Sequence, residues 1–123
     1  MIPTLLLGAL FAFSVTAHAA NDLRLEVVQQ LRSVGSDVSR LHHFDFYLYV
    51  PTEAEANAAS LKLRSKGLSV EVRRAAKGTN WLCLSKATVV PNTPQITQIG
   101  ALLAALAREY KGEFDGWEAE VVK

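Results

Sequence analysis

The spacing of apolar residues predicts a helix followed by the order strand, helix, strand, strand, helix, strand. Apolar or small side chains recur with the helical period of three or four in three segments, which begin at Leu23, Ala54 and Ile96. Four segments are predicted as strands, the first two by alternation of apolar and polar side chains: residues 44–50, 68–73, 81–90 and 114–122. The second helix presents a narrow face of small residues that can lie close to a sheet, made of Ala54, Ala58, Leu61 and Ser65.

Capping residues mark the ends of the helices. Thr52, followed three residues later by Glu55, is a capping box, in which the hydroxyl and the carboxylate satisfy free amides of the first turn. Gly67 is the glycine expected just after a helix, and Thr93-Pro94 pairs an N-cap residue with proline at the first helical position.

This order of elements is that of a ferredoxin-like α+β sandwich, βαββαβ, with an extra N-terminal helix. Its four strands lie in the order 4-1-3-2, so the second and fourth strands are opposite edges of the sheet. Two helices cover one face, and we expect the N-terminal helix to lie against the other face or an edge. Tyr47, Tyr49 and Trp81 are predicted to share that other face.

The N-terminus has the pattern of a secretory signal peptide. No charged side chain precedes Asp22, and an apolar run over residues 5–15 is followed by Ala17-His18-Ala19. Such a run ending in Ala-x-Ala is typical of a cleaved signal and is too short for an ordinary transmembrane helix. We therefore predict a signal peptide over 1–19, cleavage after Ala19, a mature domain over 20–123, and a periplasmic or secreted protein.

Charge and cysteine content narrow the functional classes. Thirteen basic and 12 acidic residues give a formal net charge of +1, which disfavours nucleic-acid binding by bulk charge. The single cysteine, Cys83, forms no intrachain disulfide and is expected to be a buried structural residue.

Three segments resemble the RraB family, the regulators of ribonuclease E activity B. They are Gly35-Ser36-Asp37 before the first strand, the aromatic-rich strand 44–51, and residues 113–118 with their aromatic-Asp-Gly-Trp sequence. The resemblance spans about residues 23–122. It gives structural roles to seven motif residues: Gly35, Asp37, Asp45, Tyr47, Asp115, Gly116 and Trp117.

The resemblance implies a non-enzymatic regulator that binds a protein and carries no cofactor, with ribonuclease E as the partner of the family's cytoplasmic inhibitor. That inhibitor is strongly acidic, whereas this chain is near neutral and begins with a predicted export signal. We therefore expect an exported domain that binds another protein. A cytoplasmic ribonuclease E inhibitor is the alternative if residues 1–19 are not a true signal.

Two surfaces are candidates for binding that partner. Residues 62–86 carry seven basic side chains and one acidic, a net charge of +6, whereas residues 109–123 carry a net charge of −3. These segments fall at opposite edges of the predicted sheet, where charges guard free strands or dock a partner. The candidate partner-binding residues are the basic ones, Arg64, Lys66, Arg73, Arg74 and Lys77, and the aromatic ones, Tyr47 and Tyr49.

A small periplasmic enzyme is the second alternative, and the sequence offers little for it. It would use Asp45, His43 or Cys83, but no local nucleophile motif surrounds them. His42 and His43 are adjacent on a strand and point to opposite faces, so they do not share a metal ion. Trp117, beside Gly116, is expected to pack in the core at a bulge rather than to anchor a partner.

Overall fold

The computed structural model describes residues 23–123, so the predicted signal peptide at 1–19 lies outside the described residues. Three helices and four strands follow one another in the predicted order. Their bounds are α1 Leu23–Ser33, β1 His42–Val50, α2 Glu53–Ser65, β2 Ser69–Arg74, β3 Trp81–Val89, α3 Pro94–Glu109 and β4 Glu113–Ala119. No helix in this part of the chain is long and apolar enough to cross a membrane.

The four strands form one antiparallel sheet in the order β2-β3-β1-β4. The prediction of a ferredoxin-like α+β sandwich is confirmed, with β2 and β4 as opposite edges. β1 is central because it pairs with β3 on one side and with β4 on the other. Its even-numbered residues, from His42 to Val50, are all buried. That alternation requires one face of β1 to be covered, and the helices provide the cover.

The helix-covered face of the sheet holds the core. Phe44 stacks on Phe46 with ring centroids 5.6 Å apart, and the rings of Trp117 and Phe114 lie tilted against them. Cys83 is on the same face, because its thiol donates to the Ala56 carbonyl oxygen of α2 at 3.3 Å.

The structure contradicts one of the two positions expected for α1, the one against the other face of the sheet. This helix packs beside α3 on the same face as α2 and α3, where Glu26 of α1 accepts a hydrogen bond from the Trp117 indole at 3.2 Å. The buried indole N–H needs an acceptor, and the apolar stripe Leu23, Val27 and Leu31 is fully buried there. The opposite face, here called the open face, therefore carries none of the three described helices.

Two further details correct the sequence-based expectations. The buried face of α2 is Ala56, Ala59, Ser60 and Leu63, whereas the predicted face is turned outward, with Leu61 66% exposed. Trp81 lies opposite Val50 and packs on the helix-covered face. It therefore does not share the open face with Tyr47 and Tyr49.

The helix caps follow the sequence. The Thr52 hydroxyl accepts from the Glu55 amide at 3.2 Å, as the capping box requires. Thr93 is the N-cap of α3, with Pro94 in the first turn, but its hydroxyl donates to the Val90 carbonyl instead of capping an amide.

Candidate protein-binding surfaces

The basic candidates form a strip along the β2 edge. Arg73 and Arg74 are consecutive on β2 and so project to opposite faces. Arg73 forms an ion pair with Glu71 on the open face. Arg74 stands over the Trp81 ring at 5.1 Å on the helix-covered face. Both stems are thereby held in place, while their charges remain in solvent.

The other basic candidates lie at the ends of this strip. Arg64, in the last turn of α2, donates to the Val70 carbonyl oxygen of β2 at 2.8 Å. Lys66 is the C-cap of α2, just before β2 begins, and Lys77 is in the loop after β2 ends. The five residues therefore follow the length of the edge, and Lys66 and Lys77 stand at its two ends.

Tyr47 and Tyr49 lie on the open face, where each is half-buried. The Tyr47 hydroxyl donates to Glu118 at 2.6 Å. Burial, followed by this bond to a carboxylate, raises the pKa of Tyr47 well above its ordinary value. Burial also raises the pKa of Asp45, and the neighbouring Glu118 adds to the rise although Lys86 opposes it. The β4 side of the open face is therefore acidic.

The Gly35-Ser36-Asp37 motif joins the start of the fold to its last residues. Gly35 has a φ of +82°, which a turn at the end of α1 requires. The Asp37 amide donates to the Val122 carbonyl at 2.6 Å, and the Val122 amide donates to the Ser36 hydroxyl at 2.8 Å. The motif is a structural tether, formed by the turn at Gly35, the Ser36 hydroxyl and the Asp37 amide.

Ser36 also contacts His42, a pair that the sequence analysis did not identify. The Nε2 atom of His42 lies 2.6 Å from the Ser36 hydroxyl, and its Nδ1 lies 2.8 Å from the Arg40 carbonyl. Because a carbonyl only accepts, neutral His42 carries its proton on Nδ1 and accepts from Ser36 at Nε2.

This Ser–His pair does not form an accessible nucleophile. Both side chains are buried, and the Ser36 oxygen already accepts the Val122 amide. Burial lowers the pKa of His42, which keeps the ring neutral inside the fold. The only sequence signal for this pair is a serine six residues before a histidine that starts a strand. Such a spacing alone does not distinguish a real contact from a chance one.

Asp115-Gly116-Trp117 forms the predicted bulge. The register between β1 and β4 shifts opposite Tyr47, and Gly116 adopts a φ of +94°. Trp117 is fully buried against Phe44. The expectation that Trp117 packs in the core is confirmed, so this motif residue contributes to the fold.

The residues considered for catalysis are not brought together. Cys83 is buried on the helix-covered face, and burial raises the pKa of its thiol to about 11. Asp45 and His43 belong to the open face, with His43 Nδ1 2.7 Å from the Thr88 hydroxyl. Among residues 23–123, no group of three potential ligands is placed to hold a metal ion.

The chain matches the model of a known protein family. The family described as Regulator of ribonuclease activity B, or RraB, matches residues 21–119. No curated protein matches the chain. The match includes all seven elements of the fold, from α1 to β4. It therefore connects this chain with a family of regulators rather than of catalysts, and the chain belongs to the RraB family.

Proposed function

We propose that the chain is an exported regulator that acts by binding another protein and performs no chemistry of its own. The match to the RraB family over residues 21–119 is the observation that carries the proposal. Export is supported by the apolar run at 5–15 and by Ala17-His18-Ala19. The basic strip along β2 and the acidic side of the open face provide charged surfaces for association.

Export is tested on protein made in its own cells. Fractionation followed by N-terminal sequencing is expected to yield a periplasmic or secreted chain that begins at Ala20. A full-length chain in the cytosol would overturn the export proposal. It would favour the alternative expected from the resemblance, a cytoplasmic inhibitor of ribonuclease E.

Binding is tested by capture from the compartment where the protein is found. The basic strip is expected to make capture weaken as salt rises, because charges are screened within about 8–10 Å. The double variant Arg73→Glu with Arg74→Glu is expected to reduce it further.

The matched control reverses two exposed arginines elsewhere, Arg32→Glu with Arg108→Glu. Both double variants change the net charge equally. An equal loss in the two would show that only net charge matters, and no loss in either would remove the basic strip from the proposal.

A further inference from the structure

β3 extends three residues beyond the point where β2 starts, and this leaves a gap at the edge of the sheet. The first residue of β2, Ser69, pairs with Lys86, whereas β3 continues to Val89 and remains paired with β1. Ala87, Thr88 and Val89 therefore have β1 on one side and, among the described residues, no strand on the other. This three-residue gap lies on the edge of the sheet, next to the turn at Gly67.

The backbone of Thr88 points into this gap. In an antiparallel ladder, the backbone groups of successive residues point alternately to the two sides of the strand. The Ala75 amide donates to the Asn80 carbonyl oxygen at 3.0 Å, so the backbone groups of Asn80 point toward β2. By alternation residues 82, 84, 86 and 88 point the same way. Because β2 begins at Ser69, Thr88 faces no β2 residue.

An independent contact supports this assignment. Val70 lies opposite Ser85, and its carbonyl accepts from Arg64 rather than being turned toward β3. The same contact closes that position of the β2 edge to an incoming strand. Among the described residues, no side chain is hydrogen-bonded to the backbone of Thr88, which distinguishes this position from that of Val70.

A groove opens on each side of the sheet at the gap. The helix-side groove, of about 770 Å³, has a mixed lining, in which Leu68, Val89, Ile99 and Leu102 are apolar and Lys66, Gln95 and Gln98 are polar. The open-side groove, of about 370 Å³, is lined by polar ones, including His43, Asp45, Lys86 and Thr88. Both grooves include Gly67, where an added Cβ would meet no atom within 4 Å.

We propose that an extended segment of the partner protein adds to the sheet beside Thr88. A strand there pairs its backbone with the Thr88 amide and carbonyl and sends alternate side chains to opposite faces. The residue opposite Thr88 enters the open-side groove, and its two neighbours enter the helix-side groove, where Leu68, Val89 and Leu102 offer apolar contacts. The segment therefore has the pattern apolar, polar, apolar. This assignment rests on the proposed function, since it names the surface through which the regulator binds.

The test uses two capped pentapeptides of identical composition. One has valine, threonine, valine at its centre, flanked by lysines for solubility, and the other is its sequence isomer with the two valines adjacent. Binding to the mature protein is followed by the NMR shifts of the backbone amides. The alternating peptide is expected to shift the Thr88 amide and the groove residues and to bind more tightly than its isomer.

Two pairs of variants locate the site. Ala101 and Ala105 are both exposed on α3, but only Ala101 lines the groove. Ala101→Arg is expected to abolish peptide binding, and Ala105→Arg to leave it unchanged. Thr88→Pro removes the amide that faces the gap, whereas Thr88→Val keeps it. Losing that hydrogen bond is expected to weaken binding by about fivefold.

The outcomes separate this proposal from the proposed function. Equal binding of the two peptides, or equal loss with Ala101→Arg and Ala105→Arg, would overturn the groove. If a natural partner is captured equally well by Ala101→Arg, the regulator binds elsewhere and the function stands. If Ala101→Arg abolishes self-association of the peptide-free protein, a second copy fills the gap, and the proposal of a partner segment is overturned.

Discussion

The helix-covered core and the basic strip along β2 differ in how their polar groups are held. In the core, the Trp117 indole, the Ser36 hydroxyl and both nitrogens of His42 have partners inside the protein. Along β2, the side chains of the Arg73–Glu71 ion pair are each about half exposed, at 55% and 51%. Burial makes a missing partner costly in the first region, whereas water replaces one in the second.

Trp117, the most buried of the family-motif residues, belongs to the first region and the basic candidate binding residues form the second, whereas Tyr47, which is both a motif residue and a candidate, lies on the open face. Gly35, Gly116 and Trp117 set a turn, a bulge and a core contact. Sequence similarity at such positions indicates a shared fold, but it does not indicate which partner a surface binds. Mutations can therefore test whether stability and binding are as separable as this division implies.

The largest effect is expected at Trp117. Trp117→Ala should lower the free energy of unfolding by about 3–5 kcal/mol, since it leaves a cavity and strips Glu26 of its donor. Urea denaturation measures the loss. Trp81→Ala, which removes an indole from the edge of the core, is the comparison, and an equal loss there would contradict the division between core and strip.

The next effect is expected at Ser36. Ser36→Ala leaves His42 Nε2 and the Val122 amide without a partner in the core, which should cost about 1–3 kcal/mol. Ser85→Ala is a matched control, because Ser85 is also buried and its hydroxyl has no partner among the described residues. Ser85→Ala should leave the free energy of unfolding unchanged or raise it. A similar loss for both variants would show that lost packing contacts, rather than lost hydrogen bonds, reduce the stability.

A smaller effect on the free energy of unfolding is expected when a change of pH titrates His42. Burial lowers its pKa below the ordinary 6.5, so below pH 6.5 the unfolded chain binds a proton that the folded protein resists. The free energy of unfolding should therefore fall as the pH drops through 6.5, until it passes the folded pKa. The hydrogen bond to the Arg40 carbonyl and the charges of Glu120 and Asp37 oppose this lowering of the pKa, whereas the charge of the Arg40 side chain assists it.

His42→Gln isolates this contribution. Urea midpoints measured from about pH 7.5 to about pH 5 should converge for the two proteins toward the acid end, since only the native chain loses the His42 contribution. Parallel profiles would assign the pH dependence to other groups.

The smallest effect is expected at the exposed pair of Lys62 and Glu109, whose nearest atoms are 2.7 Å apart. The carboxylate raises the pKa of Lys62, but both side chains are about half exposed. Lys62→Gln should change the denaturation midpoint less than any of the variants above, and the change should shrink in high salt. A loss as large as that of Ser36→Ala would show that surface charges hold the helices together.

Sequence patterns predicted the order of the elements and the burial of Trp117, because these depend on local periodicity or on a glycine. The two edge strands, β2 and β4, followed from that order. The patterns missed the buried face of α2, where two small-residue faces compete: one through Ala54 and Leu61, and one through Ala56 and Leu63. Contact with β3, through Cys83 and the Ala56 carbonyl, decides between them. The site of α1 likewise depends on Glu26 meeting an indole 91 residues away, which no local pattern reports.

The tether between Ser36 and Val122 also has a consequence for the order of events in synthesis. The two residues are 86 positions apart, so the turn after α1 stays open until residue 122 has left the ribosome. The incomplete chain thus lacks the contacts that lock α1 and β1 together, and closing so long a loop is slow because its entropy is lost before the contact forms. A nascent chain arrested before residue 122 should remain open to proteases that the finished protein resists.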